Sequence, residues 1–241
     1  MITCIIQARM GSSRLPGKVM QKISENKTVI DFVVDQLKAS KKIEKIIVAI
    51  PDEIEDDVTY DHLISRNISL YRGSLNNVLD RYYQCANSNS SSIIIRITAD
   101  CPLIDPQIVD KVITKFIENE FDYVANTHPR TFPYGTETEV FSFNALKRAW
   151  EETNDEFDKE HVTPYFYNNP DKFKIGNFSQ NTNQSHYRWT IDYVEDLELV
   201  KEIVDKIPKS PILTQYIIDL LEKNPEIVKI NKKYNHESLE N

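Results

Sequence analysis

Short apolar runs alternate along the chain with stretches of helical spacing, and this alternation constrains the fold more than any other feature. The runs have the length and composition of buried strands: Ile2–Ile6, Ile46–Ile50, Ile68–Tyr71, Ile93–Ile97 and Tyr123–Ala125. The helical stripes fall at 29–37, 78–86 and 108–116. This order predicts right-handed βαβ units and a mostly parallel central sheet flanked by helices. The predicted fold class is therefore α/β.

The regular alternation of strands and helices ends after about residue 126, where turn-forming proline and glycine become frequent. A partly exposed strand is predicted at 137–142, followed by a helix at 143–152 with Asn144 as its N-cap. The later predicted elements are a strand at 173–178, a short strand at 189–191, and helices at 195–207 and 214–223.

No stretch has the composition of an interdomain linker, so the 241 residues are expected to form a single domain, 1–241. The residues at about 127–190 are an insertion in the parallel pattern, and 231–241 is expected to be a polar, frayed tail.

Composition restricts the class of partner. No apolar run approaches the ~20 residues that cross a bilayer, and no charged leader precedes an apolar core, so we expect a cytoplasmic protein without membrane segments. Cys4, Cys85 and Cys101 fit neither a disulfide framework nor a zinc site, and they suit a reducing compartment. A net charge of −8 argues against nucleic-acid binding and favours a compact anion as partner.

A cationic loop follows the first predicted strand. Residues 7–20 read QARMGSSRLPGKVM, with three cations, no acid and two of the chain's five glycines. Loops of this kind at the carboxyl end of a first parallel strand typically bind nucleotide phosphates, whereas the plain alternative is a solvated basic turn. The predicted nucleotide-binding residues of the loop are Gln7, Ala8, Arg9, Gly11, Ser12, Ser13, Arg14 and Lys18.

Two aspartates follow predicted strands and are candidate magnesium ligands. Asp100 comes after Ile93–Ile97, where Pro102 ends the strand, and Asp192 comes after the predicted strand 189–191. Hard cations choose carboxylates together with substrate phosphates, although either acid could also serve as a loop cap. Asp105, directly before Pro106, is predicted to be a helix N-cap.

A looser polar set lies in the second half of the chain. Hydroxyls, carboxylates and rings are the groups that recognise sugars, and Arg188 could meet a substrate carboxylate. For each member a structural role is the main alternative. The predicted substrate-binding residues are Tyr134, Thr136, Glu137, Glu139, His161 and Arg188.

Two further segments complete the set of candidates. Arg72, Gly73 and Ser74 follow the third predicted strand and could contact a base edge or a phosphate, or form a plain turn. The acidic run from Asp52 to Asp57 is expected to be solvated surface.

Together these motifs resemble the cytidylyltransferase superfamily and, more narrowly, the spore coat polysaccharide biosynthesis protein F family. That family is similar to the synthetases that activate 3-deoxy-manno-octulosonic acid and the acylneuraminic acids as CMP-sugars. The resemblance covers about residues 1–205 and is carried by QARMGSSRLPGKVM (7–20), RGSLNNVLDRYY (72–83), RITADCPLIDP (96–106), EVFSF (139–143), HVTPY (161–165) and RWTIDYVEDL (188–197).

The resemblance implies a Rossmann-like nucleotidyltransferase sandwich with a mixed sheet, in which 127–190 forms a small arm for substrate binding and dimerisation. It implies that Arg9, Ser13, Arg14 and Lys18 hold the CTP phosphates. It further implies that Asp100 and Asp192 coordinate Mg²⁺, and that the Arg72–Ser74 segment borders the base pocket. Thr98-Ala99 stands where the octulosonate enzymes have Gln-Gly, which leaves the cytosine contact open, with Thr98 as a candidate nucleotide ligand.

The expected activity is transfer of CMP from CTP to a sugar, of the acidic ulosonic or nonulosonic type, with release of pyrophosphate for surface polysaccharide synthesis. Arg14, Lys18, Asp100 and Asp192 are the expected catalytic residues, and a homodimer is expected. The alternatives are a sugar or polyol phosphate as acceptor, a nucleotide-sugar-dependent glycosyltransferase of related fold, or a non-catalytic nucleotide-binding protein.

Overall fold

The computed structural model describes residues 1–234. Its strands are β1 (Ile2–Gln7), β2 (Lys22–Ser24), β3 (Lys27–Thr28), β4 (Lys45–Pro51), β5 (Leu70–Gly73), β6 (Ile93–Thr98), β7 (Tyr123–Ala125), β8 (Glu139–Ser142) and β9 (Ile175–Asn177). The first five α-helices are α1 (Val29–Leu37), α2 (Asp57–Ser65), α3 (Val78–Ser88), α4 (Pro106–Glu118) and α5 (Phe143–Glu152). The others are α6 (Glu156–His161), α7 (Pro164–Tyr167), α8 (Val194–Lys206), α9 (Thr214–Lys223) and α10 (Pro225–Val228).

Seven strands form one sheet in the order β5-β4-β1-β6-β8-β7-β9. β1 pairs in parallel with both β4 and β6, whereas β8 is antiparallel to its neighbours β6 and β7. The predicted α/β class with a mostly parallel mixed sheet is confirmed. The strand order reverses at β1, so the crevice at the carboxyl ends of β1 and β6 is where such a sheet binds ligands.

Three apolar clusters hold the layers together. One packs α1 and α4 against one face of the sheet, around Ile6, Val33 and Val109. A second packs α3 and α5 against the opposite face, around Ile5 and Phe141. The third joins α8 and α9 to the start of α1 around the fully buried Trp189. The third cluster brings the C-terminal helices and the segment before Asp192 to the ligand-binding edge of the sheet.

The strand predicted to be partly exposed is instead a buried interior strand. β8 lies between β6 and β7, and its Glu139 is only 7% exposed. Arg96 on β6 forms an ion pair with Glu139, and the Tyr123 hydroxyl donates to the same carboxylate at 2.6 Å. Burial raises the pKa of Glu139, but the charge of Arg96 and the hydrogen bonds from Tyr123, Thr163 and Arg96 together lower that pKa below its ordinary value. The polar residue Glu139 in this strand is therefore buried with a counter-ion and does not face solvent.

Other boundaries differ in detail. The helices at 143–152 and 214–223 form as predicted, but Ser142 and not Asn144 caps α5, since its hydroxyl accepts from the Ala145 amide at 3.0 Å. The predicted strand at 173–178 shortens to Ile175–Asn177. Residues 189–191 form no strand. Their amides at Trp189 and Ile191 instead donate singly to Tyr134 and Asp100 carbonyls.

The first residue of the predicted frayed tail is held in place by the fold. Asn231 is buried, and its side-chain amide donates to the Asp196 carboxylate at 2.8 Å. Residues 235–241 lie outside the described part of the chain. Within residues 1–234, no helix combines the length and apolarity that a bilayer crossing requires.

Glu139→Ala should lower the free energy of unfolding by about 3–5 kcal/mol, because it leaves the buried Arg96 guanidinium without its counter-ion. Urea denaturation followed by circular dichroism measures this change. The exposed acid Glu118 at the end of α4 provides a matched control, and Glu118→Ala should leave stability within about 0.5 kcal/mol. Equal stability of the two variants would contradict the structural role of the Arg96–Glu139 pair.

Candidate active site

A cavity opens at the carboxyl ends of β1 and β6, where the sheet order predicts a ligand site. All eight predicted nucleotide-binding residues of the first loop line this cavity, and so do Thr98, Asp100, His161 and Asp192. These residues come from four separate parts of the chain, and the fold brings them to one place.

Lys18 lies at the centre of the site and joins its two aspartates. Its ammonium donates to Asp100 Oδ2 at 2.8 Å, to Asp192 Oδ1 at 3.0 Å and to the Ile191 carbonyl at 2.8 Å. Burial lowers the pKa of Lys18, but the charges of Asp100 and Asp192, together with the hydrogen bonds to them, raise that pKa above its ordinary value. Two acids that are 92 residues apart in sequence therefore converge on one cation.

Asp100 receives further hydrogen bonds from its own loop. The Thr98 hydroxyl donates to Asp100 Oδ1 at 2.5 Å, and the Cys101 thiol lies 3.6 Å from the same oxygen. Burial raises the pKa of Asp100, but Lys18 and these hydrogen bonds lower it below the ordinary value. With 24% of its side chain exposed, Asp100 presents a carboxylate to the cavity.

Asp192 is positioned by a buried network behind it. Arg188 Nη2 donates to Asp192 Oδ2 at 2.8 Å and to Asp196 Oδ2 at 3.1 Å. The fully buried Asp196 also accepts from the Asp192 amide at 2.9 Å and from Asn231. This network fixes the backbone around Asp192, and it occupies the Arg188 guanidinium that could otherwise bind a substrate carboxylate.

The cationic loop is held open by its own backbone. Gly17 adopts a left-handed conformation with φ of 68°, and its amide donates to the Met10 carbonyl at 3.0 Å. At Gly11 an added Cβ would meet nothing within 4 Å, so this part of the loop borders open space. The loop is therefore closed at its base by the Gly17–Met10 hydrogen bond, and its middle, around Gly11, faces the cavity.

Asp56 anchors the loop from outside the cavity. Its carboxylate accepts from the Met10 amide at 2.8 Å, and the residue is 2% exposed. The expectation of a solvated acidic run at 52–57 is therefore wrong at this residue, because the carboxylate satisfies a loop amide. Burial raises the pKa of Asp56 above its ordinary value, although the Met10 hydrogen bond opposes that change.

Arg14 and Arg9 are more exposed at the cavity than Lys18 is. Arg14 Nη2 is 3.3 Å from Asp192 Oδ1, and its guanidinium lies 5.2 Å from the ring centre of Tyr193. The Arg9 guanidinium is 4.0 Å from Glu160. About half of each arginine side chain is exposed, so both can reorient towards an anion.

The segment Arg72–Ser74 does not line the cavity in the described residues. Arg72 instead forms ion pairs with Asp57 at 2.7 Å and with Asp52 at 3.0 Å. Its side chain points towards α2, so a contact between this segment and a nucleotide stays a prediction.

Of the predicted substrate-binding residues, only His161 lines this cavity within residues 1–234. Thr136 is buried and its hydroxyl donates to the Pro133 carbonyl at 2.7 Å. Glu137 pairs with Arg130 at 2.6 Å, and that guanidinium lies 3.8 Å from the ring centre of Tyr134. Glu139 is paired with Arg96 inside the sheet. The structure therefore does not bring the whole predicted set together.

Five lining residues were not among the predicted site residues: Val19, Val78, Arg81, Ala99 and Glu160. Val19, Val78, Arg81 and Ala99 lie within the motifs that carry the resemblance, and Glu160 directly precedes the predicted residue His161. The position of Arg81 inside α3 gives no signal that its side chain points into a ligand cavity.

The model of the cytidylyltransferase family matches residues 3–234. Spore coat polysaccharide biosynthesis protein SpsF of Bacillus subtilis is 33% identical over 234 residues, covering 93% of this chain and 95% of its own. The 3-deoxy-manno-octulosonate cytidylyltransferase of Thermodesulfovibrio yellowstonii is 28% identical over 192 residues, covering 77% and 71% of the two chains. A solved cytidylyltransferase structure from Leptospira borgpetersenii superposes with a TM-score of 0.90 at 34% identity, covering 94% and 96% of the two chains.

The chain therefore belongs to the cytidylyltransferase family. It is a CTP-dependent nucleotidyltransferase with the Rossmann-like sandwich of that family, so the resemblance seen in the motifs is confirmed.

Asp56→Ala should loosen the cationic loop, because the Met10 amide loses its buried acceptor. We expect faster hydrogen exchange at residues 9–12 and a loss of about 1–3 kcal/mol in unfolding free energy. Asp57→Ala, which removes the neighbouring and more exposed acid, is the matched control and should leave exchange in the loop unchanged. Unaltered exchange in Asp56→Ala would show that the loop holds its shape without this anchor.

Proposed function

We propose that the protein transfers CMP from CTP to a hydroxyl of an acidic sugar of the ulosonic or nonulosonic type, releasing pyrophosphate. The product would supply surface polysaccharide synthesis. The proposal includes a cytoplasmic location and a homodimer in which residues 127–190 contribute to substrate binding and to the interface.

One observation carries the proposal: the Lys18 ammonium binds both Asp100 and Asp192 in the cavity that the cationic loop lines. Nucleotidyl transfer needs cations beside the triphosphate and carboxylates that can place a metal ion on its reacting phosphate. Both sets of groups share this cavity. No protein nucleophile is needed, since catalysis can rest on positioning and electrostatic stabilisation.

The donor set fits a hard divalent cation. Asp100, Asp192 and the Ile191 carbonyl already direct three oxygens at one positive charge, that of Lys18. Magnesium is usually held by one or two carboxylates together with substrate phosphates, and no larger cluster of acidic, histidine or cysteine ligands occurs in residues 1–234. Bound between Asp100 and Asp192, Mg²⁺ would supply positive charge to the oxygens of the reacting phosphate.

The loop cations take the triphosphate in this proposal. Lys18 carries its charge on a flexible four-carbon stem, so its ammonium can leave the two aspartates for a phosphate oxygen. Arg9 and Arg14 are half exposed and can swing onto the outer phosphates, where they would neutralise the leaving pyrophosphate. The amides around Gly11 and Ser13 add donors that need no side-chain rearrangement.

Support for an acidic sugar comes from the relatives. One is a 3-deoxy-manno-octulosonate cytidylyltransferase and another a spore coat polysaccharide biosynthesis protein. His161 and Glu160 offer polar groups at the cavity wall where an acceptor could bind. Arg188 serves Asp192 and Asp196 instead, so its part in substrate binding is indirect.

Asp100→Asn and Asp192→Asn should each reduce CTP-dependent pyrophosphate release by at least about a hundredfold, because each removes a carboxylate that would hold the metal ion at the reacting phosphate. A coupled pyrophosphate assay measures turnover with octulosonate and nonulosonate acceptors, and circular dichroism checks the fold. Asp61→Asn on the exposed face of α2 is the matched control. Full turnover in either active-site variant would remove that aspartate from the mechanism.

A further inference from the structure

A pair of stacked tyrosines lies beside Arg14 of the cationic loop. Tyr193 directly follows Asp192, and the centre of its ring is 5.2 Å from the Arg14 guanidinium. Arg14 Nη1 also approaches the Tyr193 hydroxyl at 3.5 Å, a long distance for a hydrogen bond. Tyr234 stacks on Tyr193, with ring centres 3.7 Å apart and ring planes within 1° of parallel. Neither tyrosine is among the predicted site residues.

The C-terminal segment 231–234 holds this pair in place. The Tyr234 hydroxyl donates to Glu195 Oε2 at 2.9 Å, and the Lys233 ammonium donates to Glu195 Oε1 at 2.6 Å. Glu195 lies in the first turn of α8, two residues after Tyr193. Tyr193 is only half-buried, so the Tyr234 ring that covers one of its faces restricts a side chain that would otherwise rotate more freely.

The ring gives Arg14 a support that does not compete with an anion. A guanidinium stacks on an aromatic ring through its face, while its N–H donors point outwards in its own plane. The Asp192 carboxylate, 3.3 Å from Arg14 Nη2, instead occupies a donor that a phosphate would need. Contact with the Tyr193 ring can persist while the guanidinium turns from Asp192 towards an anion. The tyrosine pair can therefore keep Arg14 at the cavity rim in both positions.

The outer phosphates of CTP are the anion that this position suits. Lys18 lies deeper in the cavity, with 14% of its side chain exposed, whereas 52% of the Arg14 side chain is exposed. We propose that Tyr193, held by Tyr234, is a positioning residue that keeps Arg14 within reach of the outer phosphates of CTP. This inference rests on the proposed function, and it gives the C-terminal segment a part in nucleotide binding.

Isothermal titration of the full chain with CTP and with CMP, in the same magnesium buffer, tests the assignment because CMP lacks the outer phosphates. Tyr193→Leu should weaken CTP binding ~3- to 10-fold and leave CMP binding unchanged. Tyr193→Phe keeps the ring and should bind CTP as the wild type does. Tyr234→Leu should also weaken CTP binding selectively, and it carries the test if Tyr193→Leu does not fold.

Tyr216→Leu is the matched control. Tyr216 is a half-buried tyrosine of α9 whose ring also lies near a cation, the Lys209 ammonium at 3.7 Å from its centre. It does not line the nucleotide cavity of the described residues, so its loss should leave the binding of both nucleotides unchanged.

A double-mutant cycle separates positioning of Arg14 from general support of the fold. Arg14→Met should itself weaken CTP binding, and adding Tyr193→Leu to it should cause no further loss. Additive losses, equal weakening of CTP and CMP, or unchanged CTP binding in Tyr193→Leu and Tyr234→Leu would each overturn the assignment. Because the readout is nucleotide binding, an absence of pyrophosphate release with octulosonate and nonulosonate acceptors would contradict the proposed reaction and leave the Tyr193 result intact.

Discussion

The site depends on one shared cation. Lys18, from the loop after β1, holds Asp100 from the loop after β6 and Asp192 from the segment before α8. Each acid is supported in turn: Asp100 by Thr98, and Asp192 by Arg188. Without this charge, two carboxylates in a partly buried cavity would repel each other, so the ammonium keeps the site assembled before substrate arrives.

The parts of this assembly differ in how firmly they are held. Arg188 and Asp196 are almost entirely buried and tie Asp192 to α8 and Asn231, whereas Arg14 is half exposed on the cavity rim. Fixed carboxylates beside mobile cations suit a triphosphate, because its negative charge is redistributed as pyrophosphate leaves. Lys18 belongs to both parts, since it bridges the acids and sits on the loop.

The sequence predicted the parts of the molecule that local pattern controls. Alternating strands and stripes predicted the α/β sheet, and a cationic loop after a first strand predicted the cavity lining. The roles of residues whose partners are distant in sequence were harder to predict. Glu139 read as a surface or substrate acid because Arg96, its counter-ion, lies on a different strand 43 residues away. Asp56 likewise read as solvated, since nothing in its neighbourhood shows that it accepts from Met10.

We propose that Asp100 and Asp192 form a cation site from which Lys18 moves to the nucleotide. Anomalous diffraction from crystals grown with CTP and Mn²⁺, used in place of Mg²⁺, tests it most directly. We expect one metal peak ligated by oxygens of both aspartates, with the Lys18 ammonium on a phosphate oxygen. A metal bound elsewhere, with Lys18 still between the two carboxylates, would contradict it.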